Sequence, residues 1–287
     1  MKKFGLIALM LGLTSQAMAD GFAGHVVSYN AGLAPGMRSY FSVDGAGAWT
    51  FERADALIDP LSALGKPTGL VKDEYFGDMI VSPFNPTANA EQIVSIGEGG
   101  SLTLRLENYA VVDDGPEIGL FTNVAVSNYG GSFAPFGDDD VIVDVSYDGE
   151  AWVSLGQTHP NMPTDVWINA SDPYLTSDAG LLEADFSMPY TDHVSTFGDK
   201  TYPEIKALLN GSAGGFWLEL SDTGLSEVGF IRFSVTDNGV DDQFPINFEL
   251  DAVSIAAGHV GAAVAPEPCT MSLLALAGMG LLRRRRK

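Results

Sequence analysis

The stretch "SLTLRLENYAV" (residues 101–111) decides the fold. Leu102, Leu104 and Leu106 alternate with Thr103, Arg105 and Glu107, the two-residue period of a strand with one buried face. The period recurs outward from it. "DDVIVDVSYDG" (139–149) sets Val141, Val143 and Val145 on one face. "EAWVSLG" (150–156) follows, so Asp148-Gly149 reads as a hairpin turn. "GGFWLELS" (214–221), "VGFIRFSVTDNG" (228–239) and "INFELDAVSIAAG" (246–258) alternate in the same way. In the last of these Ile246, Phe248 and Leu250 face one side, and Asn247, Glu249 and Asp251 the other. Short alternating strands parted by Gly, Asp, Asn and Pro turns predict an all-β protein: an antiparallel β-sandwich, jelly-roll-like. Trp152 and Trp217 fall in strands and are expected in its core.

Helix is minor. "TYPEIKALLNG" (201–211) has Thr201 as N-cap and Glu204 three residues on, a capping box, and Asn210-Gly211 ends it. "RADALIDPLSALG" (53–65) adds one or two turns interrupted by Pro60. Residues 157–200, rich in Asp, Ser, Thr and Pro, read as long loops. No internal repeat or linker divides the body, so residues 20–262 read as one domain.

The chain has 287 residues and a formal net charge of −22. Seven of its 15 basic residues lie at the two ends, leaving eight in the body. One of the 37 acidic residues, Glu267, belongs to the tail, so the body carries 8 − 36 = −28. Such a surface repels the phosphates of nucleic acid and the head groups of anionic lipid. It is compatible with divalent cations and with neutral polymers such as glycans. The single cysteine, Cys269, lies in the tail, which excludes a disulfide framework or a thiolate metal site in the body.

Both ends read as addresses rather than as fold. Residues 1–19, "MKKFGLIALMLGLTSQAMA", place Lys2 and Lys3 before a ten-residue apolar run, with Ala17 and Ala19 at a small–x–small cleavage site. This is a signal peptide, the substrate of the secretion translocon and signal peptidase, and its removal leaves Asp20 first. Gly258–Ala265 reads as a tether. Within residues 263–287, Met271–Leu282 forms a short apolar helix, well under the roughly 20 residues of a comfortable span. The basic block Arg283, Arg284, Arg285, Arg286 and Lys287 holds its end on the cytoplasmic side. The physics is that of a transient membrane anchor.

Pro266, Glu267 and Pro268, the apolar helix and the basic block, in that order, resemble the PEP-CTERM sorting signal in its planctomycete-type form. The resemblance covers the last 22 or so residues. It implies recognition and tail removal by the transpeptidase exosortase, delivery to the cell surface or extracellular matrix, and an association with exopolysaccharide and biofilm. Cys269 departs from the pattern; a small hydrophobe and a lipidation site are both open readings. A second resemblance covers the body. "LSALGKPTG" (61–69), "VSIGEGGSLTLRLEN" (94–108), "DGPEIGLFTN" (114–123), "VIVDVSYDGEAWVSLG" (141–156) and "FELDAVSI" (248–255) occur in the order of a β-sandwich found in bacterial surface proteins. That domain is similar to galactose-binding-like jelly rolls. Ile118-Gly119-Leu120 departs from its third motif, and Glu249 from its last.

No HExxH, G-x-S-x-G or catalytic-cysteine motif is present, and His25, His159, His193 and His259 are scattered, so the chain reads as a non-enzyme. Calcium is the favoured metal, since hard cations take carboxylate and carbonyl oxygens. Asp113, Asp114, Asp138, Asp140 and Asp251 are the candidate ligands; their alternative role is to close turns. Trp167 and Tyr174, in the long polar loop, are the candidate glycan contacts. The expectation is an exported structural or adhesive surface protein without catalysis. A calcium-assisted carbohydrate-binding module for exopolysaccharide is the alternative, and a glycan hydrolase on a jelly-roll scaffold a third.

Overall fold

The computed structural model describes residues 21–43, 49–72, 77–127, 133–137, 139–237 and 246–264. The signal peptide with Ala17 and Ala19, the motif Pro266–Pro268, the basic block Arg283–Lys287 and Asp138 lie outside the described residues. Within them the strands are β1 (Ala23–Asn30), β2 (Met37–Val43), β3 (Trp49–Ala56), β4 (Leu70–Val71), β5 (Met79–Ile80), β6 (Val94–Ile96), β7 (Ser101–Val111) and β8 (Ile118–Thr122). They continue as β9 (Ala125–Ser127), β10 (Ala134–Phe136), β11 (Val141–Ser146), β12 (Val153–Thr158), β13 (Phe216–Leu218), β14 (Glu227–Ser234), β15 (Phe248–Ile255) and β16 (Val260–Ala263). The helix α1 spans Tyr202–Leu209.

Two antiparallel sheets carry the fold, as the alternation predicts. One has the order β1-β7-β14-β11-β12, with β16 added to β7. The other runs β13-β8-β15-β6. From β12 onward each successive strand, β13, β14, β15 and β16, lies in the opposite sheet to the one before it. One continuous core lies between them: Leu102, Leu104 and Leu106 of β7 and Val141, Val143 and Val145 of β11 meet Ile118, Leu120, Phe248 and Leu250 of the facing sheet. Phe233 and Phe248 stack at 5.4 Å between ring centroids. Each such side chain, fully buried, contributes roughly 1.5–3 kcal/mol of transfer free energy. Trp152 and Trp217 are only partly buried, at the margins of the hydrophobic clusters.

β11 and β12 form the expected hairpin. Asp148 accepts from the amides of Glu150 and Ala151 at 2.9 and 3.0 Å, and Gly149 sits at φ 79°, where a side chain would be strained. α1 begins as its capping box predicts: the Glu204 carboxylate accepts from the Thr201 amide and hydroxyl at 2.8 and 2.7 Å. Asn210 ends the helix at φ 49°.

Three expectations are corrected. Of the one or two turns expected in residues 53–65 one forms, and Pro60 starts it rather than interrupting it. β3 runs to Ala56, and a single 3-10 turn, Pro60–Ala63, starts where Asp59 caps it and Pro60 fits the first position. Gly258–Ala265 is not wholly a tether, because β16 pairs with β7 beside β1. Residues 157–200 are not simply exposed loop. With α1 they cover the outer face of the four-stranded sheet, where Phe121 and Ala252 pack with Val166, Trp167, Phe186, Tyr202 and Ala213. Ile205 and Leu209 extend this layer over Met162, Val194 and Phe197. Asp165, buried in the layer, accepts hydrogen bonds from the Tyr202 hydroxyl and the Lys206 ammonium.

A candidate carbohydrate-binding groove

The carboxylate clusters read as candidate cation sites lie at opposite ends of the sheet. Asp113 and Asp114 follow the C-terminal end of β7, whereas Asp140 precedes β11, beside the end where β7 starts. The eleven residues of β7 put about 33 Å between those ends. Asp113 accepts from the Asp114 amide at 2.9 Å, a turn contact. Asp140 is bonded to Gln157 and, at 2.8 Å, to His159.

Asp251 is buried between strand and loop. The pairing of β15 with β8 slips between Leu250 and Ala252, so a bulge at Asp251 ends one alternation and begins another. Phe248 and Leu250 before it, and Val253 and Ile255 after it, all face the core. The carboxylate itself accepts from the Thr68 amide at 3.0 Å and from the hydroxyls of Thr68 and Thr87 at 3.3 Å. Burial still pushes it up to about 7, against the pull of those donors. Among the described residues no group of three His, Cys, Asp or Glu side chains is placed to hold a metal ion. Asp251 has threonine donors around it rather than fellow ligands.

Trp167 and Tyr174 also part company. The Trp167 ring is 6% exposed, and its indole donates to the Gly69 carbonyl at 2.8 Å, so it is no open stacking platform. The loop packs inward because its Val166, Trp167 and Ala170 supply the apolar cover the sheet requires. Tyr174 is exposed, at 52%.

An aromatic groove lies along β13, the edge of the four-stranded sheet. One depression, of about 330 Å³, is lined by Asn161, Tyr190, Asp192, Phe216, Trp217 and Glu219, among others. A second, of about 400 Å³, runs between β13 and β12 of the other sheet, reaching Ser154, Thr158 and Asp222. Phe216, Trp217 and Glu219 line both, so the two depressions adjoin along β13. The second depression lies between the edge strands of the two sheets, and the first between β13 and the loop layer.

Its parts are positioned from β8 and the loop layer. The indole of Trp217 lies against Gly119, where an added Cβ would come within 2.9 Å of two ring carbons. Gly119 thus makes room for the ring. Trp217 donates to the Gly214 carbonyl at 2.9 Å and meets Phe121 edge-on at 6.4 Å. The Glu117 carboxylate, wholly buried, accepts from the Leu220 amide at 2.8 Å and fixes the chain beside Glu219. Burial raises the Glu117 carboxyl from its ordinary range. The Tyr190 hydroxyl pairs with Thr196 at 3.1 Å, and its phenol is likewise raised by burial.

A larger depression, of about 500 Å³, lies where the chain enters and leaves the body, beside Gly21, Gly258 and Val260. Its polar groups are taken up by each other: Lys66 pairs with Glu183, Asp185 with Ser187, and Ser254 with the Phe186 carbonyl.

Sequence reasoning missed the groove because Phe216 and Trp217 read as ordinary strand residues. That β13 is an edge strand follows only from the topology. No protein-family model matches the chain, and no curated protein shows significant similarity to it.

Proposed function

We propose that the protein is an exported, exosortase-sorted surface component whose jelly-roll-like sandwich adheres to polysaccharide through the groove along β13. Export and sorting rest on the terminal motifs. The observation that carries the adhesive reading is the adjacency of the two depressions: two hollows along β13 sharing Phe216, Trp217 and Glu219 suit a polymer better than a compact ligand. Aromatic faces offer apolar area to sugar rings, and the amide and carboxylates offer partners for hydroxyls. Among the described residues no Lys or Arg lines either depression, while Asp192, Glu219 and Asp222 do. That charge favours neutral or amino-sugar polymers and opposes uronate or sulfated ones.

The test is a glycan array probed with the mature chain and with Gly119→Ala, whose new methyl displaces the Trp217 ring. Overpacking of this kind costs about 1–3 kcal/mol, so the variant is checked for folding first. Binding of neutral or amino-sugar polymers, weakened at least several-fold in the folded variant, is the expected outcome. No binding, or binding only of anionic glycans, overturns the reading.

A further inference from the structure

The body has no cysteine, yet it must hold a layer of about fifty residues with little regular structure against the four-stranded sheet. One cluster in that layer carries more chemistry than packing needs. Lys206 projects from α1 toward Asp165 in the loop, 41 residues earlier, with Nζ 2.8 Å from Oδ2. The two side chains are 12% and 3% exposed. The other carboxylate oxygen, Oδ1, accepts from the Tyr202 hydroxyl at 3.0 Å. The Lys206 amine also lies 4.4 Å from the centre of the Tyr202 ring and donates to the Trp167 carbonyl. Trp167, Tyr202 and Val166 belong to the apolar cluster that shields the site from water.

Proton transfer across the Lys206–Asp165 hydrogen bond converts the ion pair into a neutral amine beside a neutral carboxylic acid. Low polarity favours the neutral pair. Burial pushes the Asp165 carboxyl up, against the pull of Lys206 and Tyr202. It pushes the Lys206 amine down, against the pull of Asp165. A neutral amine is a nucleophile, and a neutral acid held at contact distance is its acceptor.

From this arrangement we infer that Lys206 and Asp165 are the site of an intramolecular isopeptide cross-link. Nζ of Lys206 attacks Cγ of Asp165, and the Tyr202 hydroxyl steadies the charge that gathers on Oδ1. One Cγ–O bond breaks as the Nζ–Cγ amide forms. The departing oxygen takes the carboxyl proton and one proton from the amine and leaves as water. No oxidant or cofactor is required. The product ties α1 to the start of the loop layer covalently, the role a disulfide would otherwise fill.

The full-length chain is incubated folded at neutral pH, then denatured, and its intact mass is measured beside that of Lys206→Arg. The arginine variant keeps a cation opposite Asp165 but cannot form the same amide. The expected result is a wild-type mass lower than the sequence mass by one water. A branched peptide joining the segments around residues 165 and 206 is expected in its tryptic digest. Lys206→Arg is expected at its full sequence mass. An unchanged wild-type mass overturns the proposal and leaves an ion pair only. Water loss that persists in Lys206→Arg overturns it too, since a succinimide elsewhere then accounts for it. The glycan array does not read this bond, so the two proposals fail separately.

Discussion

Asp251 shows how one residue sets both geometry and pH response. Its bulge re-aims the end of β15, and its carboxyl is buried among Thr68 and Thr87 with its titration raised to about 7. In the unfolded chain an aspartate titrates near the ordinary value, so between about pH 4 and pH 7 the folded state binds the extra proton. Its contribution to stability is therefore fully present below the unfolded value and is lost as the pH rises through about 7. Denaturant unfolding at pH 5, 6 and 7 is expected to show stability falling with pH. Asp251 accounts for up to about 1.4 kcal/mol per pH unit of that slope. Asp251→Asn, which keeps an acceptor for the threonines but cannot titrate, is expected to flatten the slope by that share. An equal slope in the variant contradicts the assignment. Glu249, raised to about 7 by burial despite its bond to Asn123 at 2.8 Å, adds to the same trend and remains in the variant.

At the scale of elements, β7 organises both ends of the body. The Glu107 amide donates to the Phe22 carbonyl at 2.9 Å, and its carbonyl accepts from the Val264 amide at 2.9 Å. The first and last described segments therefore meet β7 at one residue. β16 is held further by the Val111 amide to the His259 carbonyl at 2.7 Å and by the Asn108 amide group to the Gly261 carbonyl at 3.0 Å. Tail removal near Pro266–Pro268 would spare this strand. Protein released from the cell surface is expected to begin at Asp20 and to end between Val264 and Pro268, as read by its intact mass. A form still ending in Lys287, or one ending before Val260, contradicts the sorting scheme. A chain ended after Gly258 is expected to lose about 2–4 kcal/mol in denaturant unfolding, as several net hydrogen bonds near 1 kcal/mol each disappear. β7, β11, β12, β13, β14 and β15 were legible because side chains such as Leu102, Leu104 and Leu106, or Val141, Val143 and Val145, alternate over a whole element, whereas β6 and β8 are buried at every position and β1 was not read as a strand. β16 was not, since "VGAA" has no alternating contrast and pairs only because β7 offers it an edge. The groove was illegible for a related reason: strand order, rather than any motif, leaves Phe216 and Trp217 at an edge.

The whole molecule is a sandwich of two antiparallel sheets with an additional loop-and-helix layer on one face. That layer explains why Trp167, in a segment polar enough to read as surface, is interior, and why Tyr174 alone of the two sequence candidates is exposed. It also borders the groove, supplying Asn161, Tyr190 and Asp192 opposite β13. Among the described residues no helix is long and apolar enough to cross a membrane. Adhesion through the groove along β13 is the central claim, and amide hydrogen exchange with and without a neutral or amino-sugar polysaccharide tests it most directly. Protection on binding is expected to centre on residues 190–193 and 215–219. Protection centred instead on residues 183–187 and 254–258, or none anywhere at saturating polysaccharide, contradicts it.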